Sequence, residues 1–254
     1  MIDALYISAS GLRSQQEQID VISNNVANMQ TPGFKKSRIS FAEIARVGAA
    51  GAMPQMLGGE GGGTRIQATL PVFSEGEIRP TRNATDLAID GAGFFELETT
   101  LGERVYTRAG QFRIDADGYL VSVSGLRLAQ GIRIPQDATE LHISDTGEIT
   151  AKLGSDTERT ALDVLELASF ASPDALRAIG DNNFAPSDAS GAASFGRAGD
   201  PGFGRLQQGY VEMANVDLID EMASLVMAQR AYQLNARVLQ ASDQVLETIN
   251  NLRR

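Results

Sequence analysis

Apolar residues recur every seven positions near both ends of the chain. Toward the C-terminus Leu218, Leu225, Tyr232, Leu239 and Leu246 form one row, with Ala231, Val238, Val245 and Leu252 beside it. Gln229, Arg230, Gln233, Asn235, Arg237, Gln240 and Asp243 lie between them and suit water or polar contacts. An apolar row of period 3.5 held this long predicts an extended helix that lies against a partner helix as a coiled coil. Asn215 or Asp217 can cap its start, and Asp217, Asp220 and Glu221 put negative charge where the helix dipole favours it. The first 29 residues repeat the device. Leu5, Leu12, Ile19 and Val26 are seven apart, Ile22 and Met29 follow Ile19 and Val26 by three, and Ser14 to Gln18 make the intervening surface polar. Gly11 lowers helix propensity there by ~1 kcal/mol relative to Ala. Both rows are candidate subunit-interface residues: the helices can pair with each other or with other copies of the chain.

Between the helices the pattern changes. Thr31-Pro32-Gly33-Phe34 is a turn signal that should end the first helix near Met29-Gln30. Pro32 fixes φ at one central position and Gly33 supplies the positive φ of a type II turn. Residues 35–46 mix basic and apolar side chains and read as an extended or short helical continuation. Residues 47–65 are glycine-rich and read as a mobile loop. From Thr64 to about Tyr210 the period is two, as in strands. Residues 104–108 and 110–114 alternate, and Asp115-Ala116-Asp117-Gly118 turns the chain into residues 119–123. Residues 141–144 and 148–150 flank a similar turn, and 162–170 is a further apolar strand. Residues 175–179 read as a helical turn and 185–204 as a Gly/Ser/Pro-rich loop. Phe94, Phe95, Phe112 and Tyr119 are expected in the core. The fold class is α+β. Residues 1–46 and 211–254 form a coiled-coil-like helical domain, 47–65 a loop, and 66–210 an inserted β-rich domain.

Charge sharpens this division. The net charge is −10, yet residues 1–46 carry five basic and four acidic side chains and residues 215–254 four and five. The whole deficit therefore lies in residues 47–214. Nearly neutral ends can pack without repulsion, while an acidic middle suits a solvated, outward-facing domain. Nothing offers a basic patch for nucleic acid. The chain has no cysteine, which excludes disulfides, a thiolate metal site and a Cys nucleophile. No apolar run approaches the ~20 residues of a membrane span, so no membrane insertion is expected. No cleavable signal peptide is read at the N-terminus.

Candidate chemistry adds little. Asp115 and Asp117 lack the ligand run and closing Glu of a calcium loop, and neighbours in a turn rarely face each other across a glycosidase cleft. Their residue types suit turn chemistry. Gly91-Ala92-Gly93 lacks the third Gly, helix and βαβ setting of a dinucleotide site and reads as a close-packed turn. His142, the only histidine, reads as a surface or half-buried strand residue. No catalytic, cofactor-binding or metal residues are assigned, and no cofactor is expected.

Several motifs carry a family resemblance. Ser23-Asn24-Asn25-Val26-Ala27-Asn28 followed by Thr31-Pro32-Gly33-Phe34-Lys35 resembles the N-terminal signature of the bacterial flagellar rod and hook proteins, with Val26 where Leu is more usual. Gly209-Tyr210-Val211-Glu212, Asn215-Val216-Asp217, Gln229-Arg230-Ala231-Tyr232 with Asn235, and Asp243-Gln244-Val245-Leu246 resemble the closing segment of that family. Residues 86–95 and 106–112 are also similar to it; residues 46–64 and 151–204 are not. The Gln-Arg-Ala-Tyr helix is most similar to the distal-rod branch.

The resemblance implies a structural subunit of the flagellar basal body, exported through the flagellar type III apparatus without a cleaved signal. It implies polymerisation into a helical hollow shaft across the periplasm that carries torque from motor to hook. Implied partners are further copies of the chain, proximal rod proteins, the hook protein and the surrounding basal-body rings. The alternatives are a proximal rod or hook subunit, a carbohydrate-binding or hydrolytic β domain on a helical stalk, and a coiled-coil adaptor of small oligomeric size.

Overall fold

The computed structural model describes residues 2–45, 61–154 and 158–252. The chain runs from helix α1 (Ile2–Ala27) through strands β1 (Ser37–Ala45), β2 (Gly61–Pro71), β3 (Ile78–Pro80), β4 (Leu87–Asp90), β5 (Phe95–Glu98) and β6 (Arg104–Thr107). It continues with β7 (Phe112–Ile114), β8 (Leu120–Ser122), β9 (Arg127–Leu128), β10 (Ala138–Ile143), β11 (Glu148–Leu153), β12 (Arg159–Val164) and β13 (Glu166–Ser169). A 3-10 turn, Pro173–Ala175, leads to β14 (Arg177–Gly180), β15 (Asn183–Ala185), β16 (Ser194–Arg197), β17 (Arg205–Gln208), β18 (Tyr210–Glu212) and helix α2 (Leu218–Leu252). The architecture is α+β, with a helix at each end and a β-rich middle.

Two compact units divide the chain. One comprises residues 1–27, 37–70 and 217–254; the other comprises 28–36 and 71–216. In the first, α1 packs against α2, and β1 pairs with β2 as a two-stranded ribbon. Of residues 35–46, Ser37–Ala45 are thus strand rather than helix, residue 46 lies outside the described residues, and β2 begins inside the stretch expected to be loop. Gly61 to Thr64, which composition alone reads as loop, thus belong to the strand that pairs with β1, and Thr64 N–H donates to Ser10 Oγ at 3.3 Å. The remaining glycine-rich residues, 46–60, lie outside the described residues.

The second unit is built on a seven-stranded sheet in the order β14-β15-β6-β5-β9-β8-β7, all of its pairs antiparallel. Strands β6, β8 and β15 carry buried residues on both faces. Phe95, Leu97 and Val105 enter one apolar cluster with Leu87, Ile149, Leu165 and Leu167. The adjacent Phe94 and Tyr106 point the other way into a second cluster with Phe170, Leu176 and Phe184. Val105 and Tyr106, successive residues of β6, therefore serve two cores, whereas β5 keeps the clean alternation Phe95-Glu96-Leu97-Glu98. Edge-to-face contacts of Phe73 with Phe94 and Phe184, and of Tyr106 with Phe170, fix the second cluster. Phe94, Phe95 and Phe112 are buried as expected, but Tyr119 is only half-buried, with the Arg127 guanidinium 4.6 Å above its ring.

Three sequence expectations give way. Residues 162–170 form two strands. Leu165 is fully buried with its N–H bonded to Gly147 O, so β12 stays with β11 while β13 turns to pair with β16. Residues 175–179 are not a helical turn, since the 3-10 turn ends at Ala175 and β14 follows, held by β15. Residues 185–204 contain β16, which the partner β13 orders despite its Gly/Ser-rich surroundings. The Gly91 and Gly93 turn is close-packed against Gly204 and Leu167.

Candidate functional site

Helix α2 begins where its cap allows. Asp217 Oδ1 accepts the N–H of Ile219 at 2.8 Å and of Asp220 at 3.3 Å, satisfying two orphan donors of the first turn. Asn215 is not the cap. Its carbonyl oxygen accepts Lys36 N–H, and its amide donates to Val72 O and to Ser74.

The most buried positions of α2 are not those of the leucine row. Among described side chains of α2, Glu221 and Ala228 are buried, while Leu225 and Leu239 are half-buried and Leu218 and Tyr232 exposed. The Leu246 side chain lies outside the described residues. On α1, Ser8, Gly11, Ser14, Ile22 and Asn25 are buried, whereas Leu5, Leu12, Ile19 and Val26 are half-buried, as is Met29 beyond the helix end. Apart from Ile22, which belongs to the predicted rows, small and polar residues thus form the most buried positions, and the rest of the rows flank them. A Cβ on Gly11 would sit 2.9 Å from Asn235 Nδ2, so glycine is what admits that side chain. The consequence is a broad apolar surface left uncovered. Ile219 is 79% exposed and Met227 72%, and Met222, Val226, Leu234, Val238 and Val245 are exposed with them.

At the end of α1, Asn25 is a bracket. Its oxygen accepts Ser37 N–H and its nitrogen donates to Ser37 O, both at 3.0 Å, and the same nitrogen donates to Glu221 Oε2 at 3.3 Å. One buried amide thereby fixes the first residue of β1 and the first turn of α2.

The turn after α1 belongs to a second constellation. Asn28 O accepts Thr31 N–H, Thr31 O accepts Phe34 N–H, and Gly33 takes φ +72° as the turn chemistry requires. Gly33 N–H donates to Glu212 O at 2.8 Å, and Asn182 donates to Pro32 O at 3.2 Å. Next in the chain but one, Lys35 Nζ meets Glu212 Oε1 at 2.5 Å and donates to Ser74 O at 2.7 Å. Gly76 N–H donates to the same carboxylate oxygen, while Arg108 Nη1 lies 3.5 Å from Glu212 Oε2. The Arg108 guanidinium also donates to Ile89 O and Gly91 O and lies 5.4 Å over the Phe94 ring.

Lys35, Arg108 and Glu212 are all buried. Burial pushes the Lys35 amine below the usual lysine range, against the pull of Glu212, and burial likewise lowers Arg108. Two cations converging on one carboxylate with backbone donors around it suit a structural clamp that joins the N-terminal turn, the middle of the β-rich unit and β18. Asp115 has turn chemistry too. It accepts Asp117 and Tyr119 N–H groups and, with Asp117, holds Arg127. His142 is exposed on β10.

The motif residues separate accordingly. Asn25, Asn28, Thr31, Pro32 and Gly33 are built into the bracket and the turn, Phe34 is half-buried, and Asn24 is exposed. Gln229, Arg230 and Tyr232 are exposed on α2, with Ala231 half-buried. Arg108 and Glu212 lie within the family-like stretches 106–112 and 209–212, and only the fold gives them a role. A lone Glu closing an apolar strand motif was the available signal for Glu212.

Comparison with known proteins matches three parts of the chain to flagellar families. Residues 5–35 match the flagella basal body rod protein family, 88–151 the flagellar hook protein FlgE/F/G D1 domain, and 207–252 the flagellar basal body rod FlgEFG protein C-terminal family. The chain is 38% identical to the flagellar basal-body rod protein FlgG of Caulobacter vibrioides, over 99% of this chain and all of the relative. It is 37% identical to the proteins of that name from Borreliella burgdorferi and Bacillus subtilis, over the full length of both chains in each case.

Proposed function

The chain belongs to the flagellar basal-body rod protein family, as a structural subunit of the bacterial rod, and on that premise we propose that it builds the distal rod. In this reading copies of the chain polymerise into a helical hollow shaft that carries torque from motor to hook. The uncovered apolar face of α2 carries the reading. Full burial of a Val, Leu, Ile or Met side chain contributes roughly 1.5–3 kcal/mol, so covering the exposed parts of Ile219, Met222, Val226, Met227, Leu234, Val238 and Val245 offers a driving force on the order of 6–12 kcal/mol before the cost of association. Neighbouring copies supply the cover, through Leu5, Leu12, Ile19, Ile22, Val26 and Met29 of α1 and the rows of α2. Coiled-coil packing arises between copies. Contacts that do not close generate a filament.

The near-neutral helical segments line the shaft and the acidic β-rich residues face outward. The subunit does no catalysis. It meets proximal rod proteins, the hook protein and the surrounding rings, and it leaves the cell body through the flagellar export apparatus. No helix among the described residues is long and apolar enough to cross a membrane.

A hook or proximal rod subunit is the nearest rival, because the match over residues 88–151 describes hook and rod proteins together. Electron microscopy of basal bodies from a strain lacking this chain separates the readings. Truncated rods without a hook are expected. Complete rods lacking only the hook, or an absent rod, would overturn the distal assignment.

A further inference from the structure

Two close approaches of polar side chains between the terminal helices share one register. Asn25 meets Glu221, and Gly11 receives Asn235. Moving back 14 residues along α1, from Asn25 to Gly11, corresponds to moving forward 14 along α2, from Glu221 to Asn235. The helices are therefore antiparallel, and the two contacts stand two heptads, about 21 Å, apart on one seam. Midway, the same register sets Gln18 opposite Ala228, which is buried. The seam is a ladder of small and polar layers at heptad spacing, one step aside from the leucine row.

We infer that this ladder is a register lock that determines how α1 and α2 pair within one chain. Apolar rows of period seven are nearly degenerate: a slip by one heptad replaces Leu with Leu or Ile and loses little. A polar residue in a seam is different, because a slip leaves it facing an apolar or bulky partner. Slipping α2 by one heptad takes Asn235 off the one α1 position without a side chain and places it against Gln18 or the helix end. It also separates Glu221 from Asn25, whose remaining hydrogen bonds go to Ser37 and stay behind. Both contacts break together, so they discriminate against every slip. The lock concerns a single chain and holds whether or not the subunit polymerises as proposed.

The absence of cysteine makes the test clean. Gln15 and Ala231 share the observed register, being four residues from Gly11 and Asn235 respectively. Pairs Gln15→Cys/Ala231→Cys, Gln15→Cys/Ser224→Cys and Gln15→Cys/Val238→Cys report the observed register and slips of one heptad either way. In monomeric full-length protein a short bis-maleimide should cross-link the first pair and leave the other two near background. Adding Asn235→Leu, or Asn25→Leu with Glu221→Leu, should raise cross-linking of the slipped pairs roughly threefold or more relative to the first, with helical circular dichroism retained. Efficient cross-linking of a slipped pair in the parent, or an unchanged ratio in both lock variants with helicity intact, would overturn the inference. Should Asn235→Leu lose helicity, the Asn25/Glu221 variant decides by the same ratio.

Discussion

Lys35 and Glu212, separated by 177 positions in the chain, meet at 2.5 Å with side chains 0% and 2% exposed. The contact ties the turn that follows α1 to β18, just ahead of α2. Removing the carboxylate strands two buried cations, whereas removing the amine leaves Glu212 with Arg108 and Gly76 N–H. Glu212→Gln should therefore cost about 3–5 kcal/mol, as for other broken buried pairs, and Lys35→Met clearly less. Urea unfolding followed by circular dichroism measures both. Equal, small effects would mean that the cluster is not a clamp.

Gly33→Ala tests the turn itself. Its φ of +72° disfavours any side chain, and a Cβ would lie 2.4 Å from the Ala109 backbone. The strain and the clash together should cost on the order of 2–4 kcal/mol. The expected result is a lower unfolding midpoint with an unchanged denaturant slope.

Acid sensitivity should trace partly to Asp115. Desolvation raises its pKa, but the N–H groups of Tyr119 and Asp117 and the charge of Arg127 outweigh this and hold it below 3.8. A carboxyl with a depressed folded pKa contributes stability that is present above 3.8 and is lost as pH falls from there through the folded value. Asp115→Asn should thus lower the melting temperature at neutral pH, and its deficit against the parent should shrink as pH drops below 3.8. A deficit that grows with acid would contradict the assignment.

The two faces of α2 should separate under mutation. Met227 is exposed and Ala228 beside it is buried against the seam. Met227→Asp should leave the monomer's melting temperature within about 1 °C of the parent and abolish polymerisation and motility. Ala228→Asp should destabilise the helical unit in the monomer. Gel filtration, circular dichroism and a swarm assay on the two variants check this.

Both helices were legible because a heptad row announces a stripe, but a stripe does not name its partner. Leu225 and Leu239 are as regular as Ala228 and Asn235, and the choice between seams is made by Gly11, whose missing side chain matters only once α2 lies on it. The turn at Pro32 and Gly33 was readable because its chemistry is local. The clamp was not, because Lys35, Arg108 and Glu212 come together only through the tertiary fold. Leu165 shows the same limit: inside an apolar run it gives no sign that the chain changes sheets there.

The central claim is that the apolar face of α2 finds its cover on other copies of the chain. Met227→Cys in this cysteine-free chain gives a direct reading, provided the variant still assembles. A maleimide should label that thiol rapidly in the monomer and at least tenfold more slowly in purified rods, the ratio expected when a buried site replaces an exposed one. Equal labelling rates in monomer and rod would contradict the account.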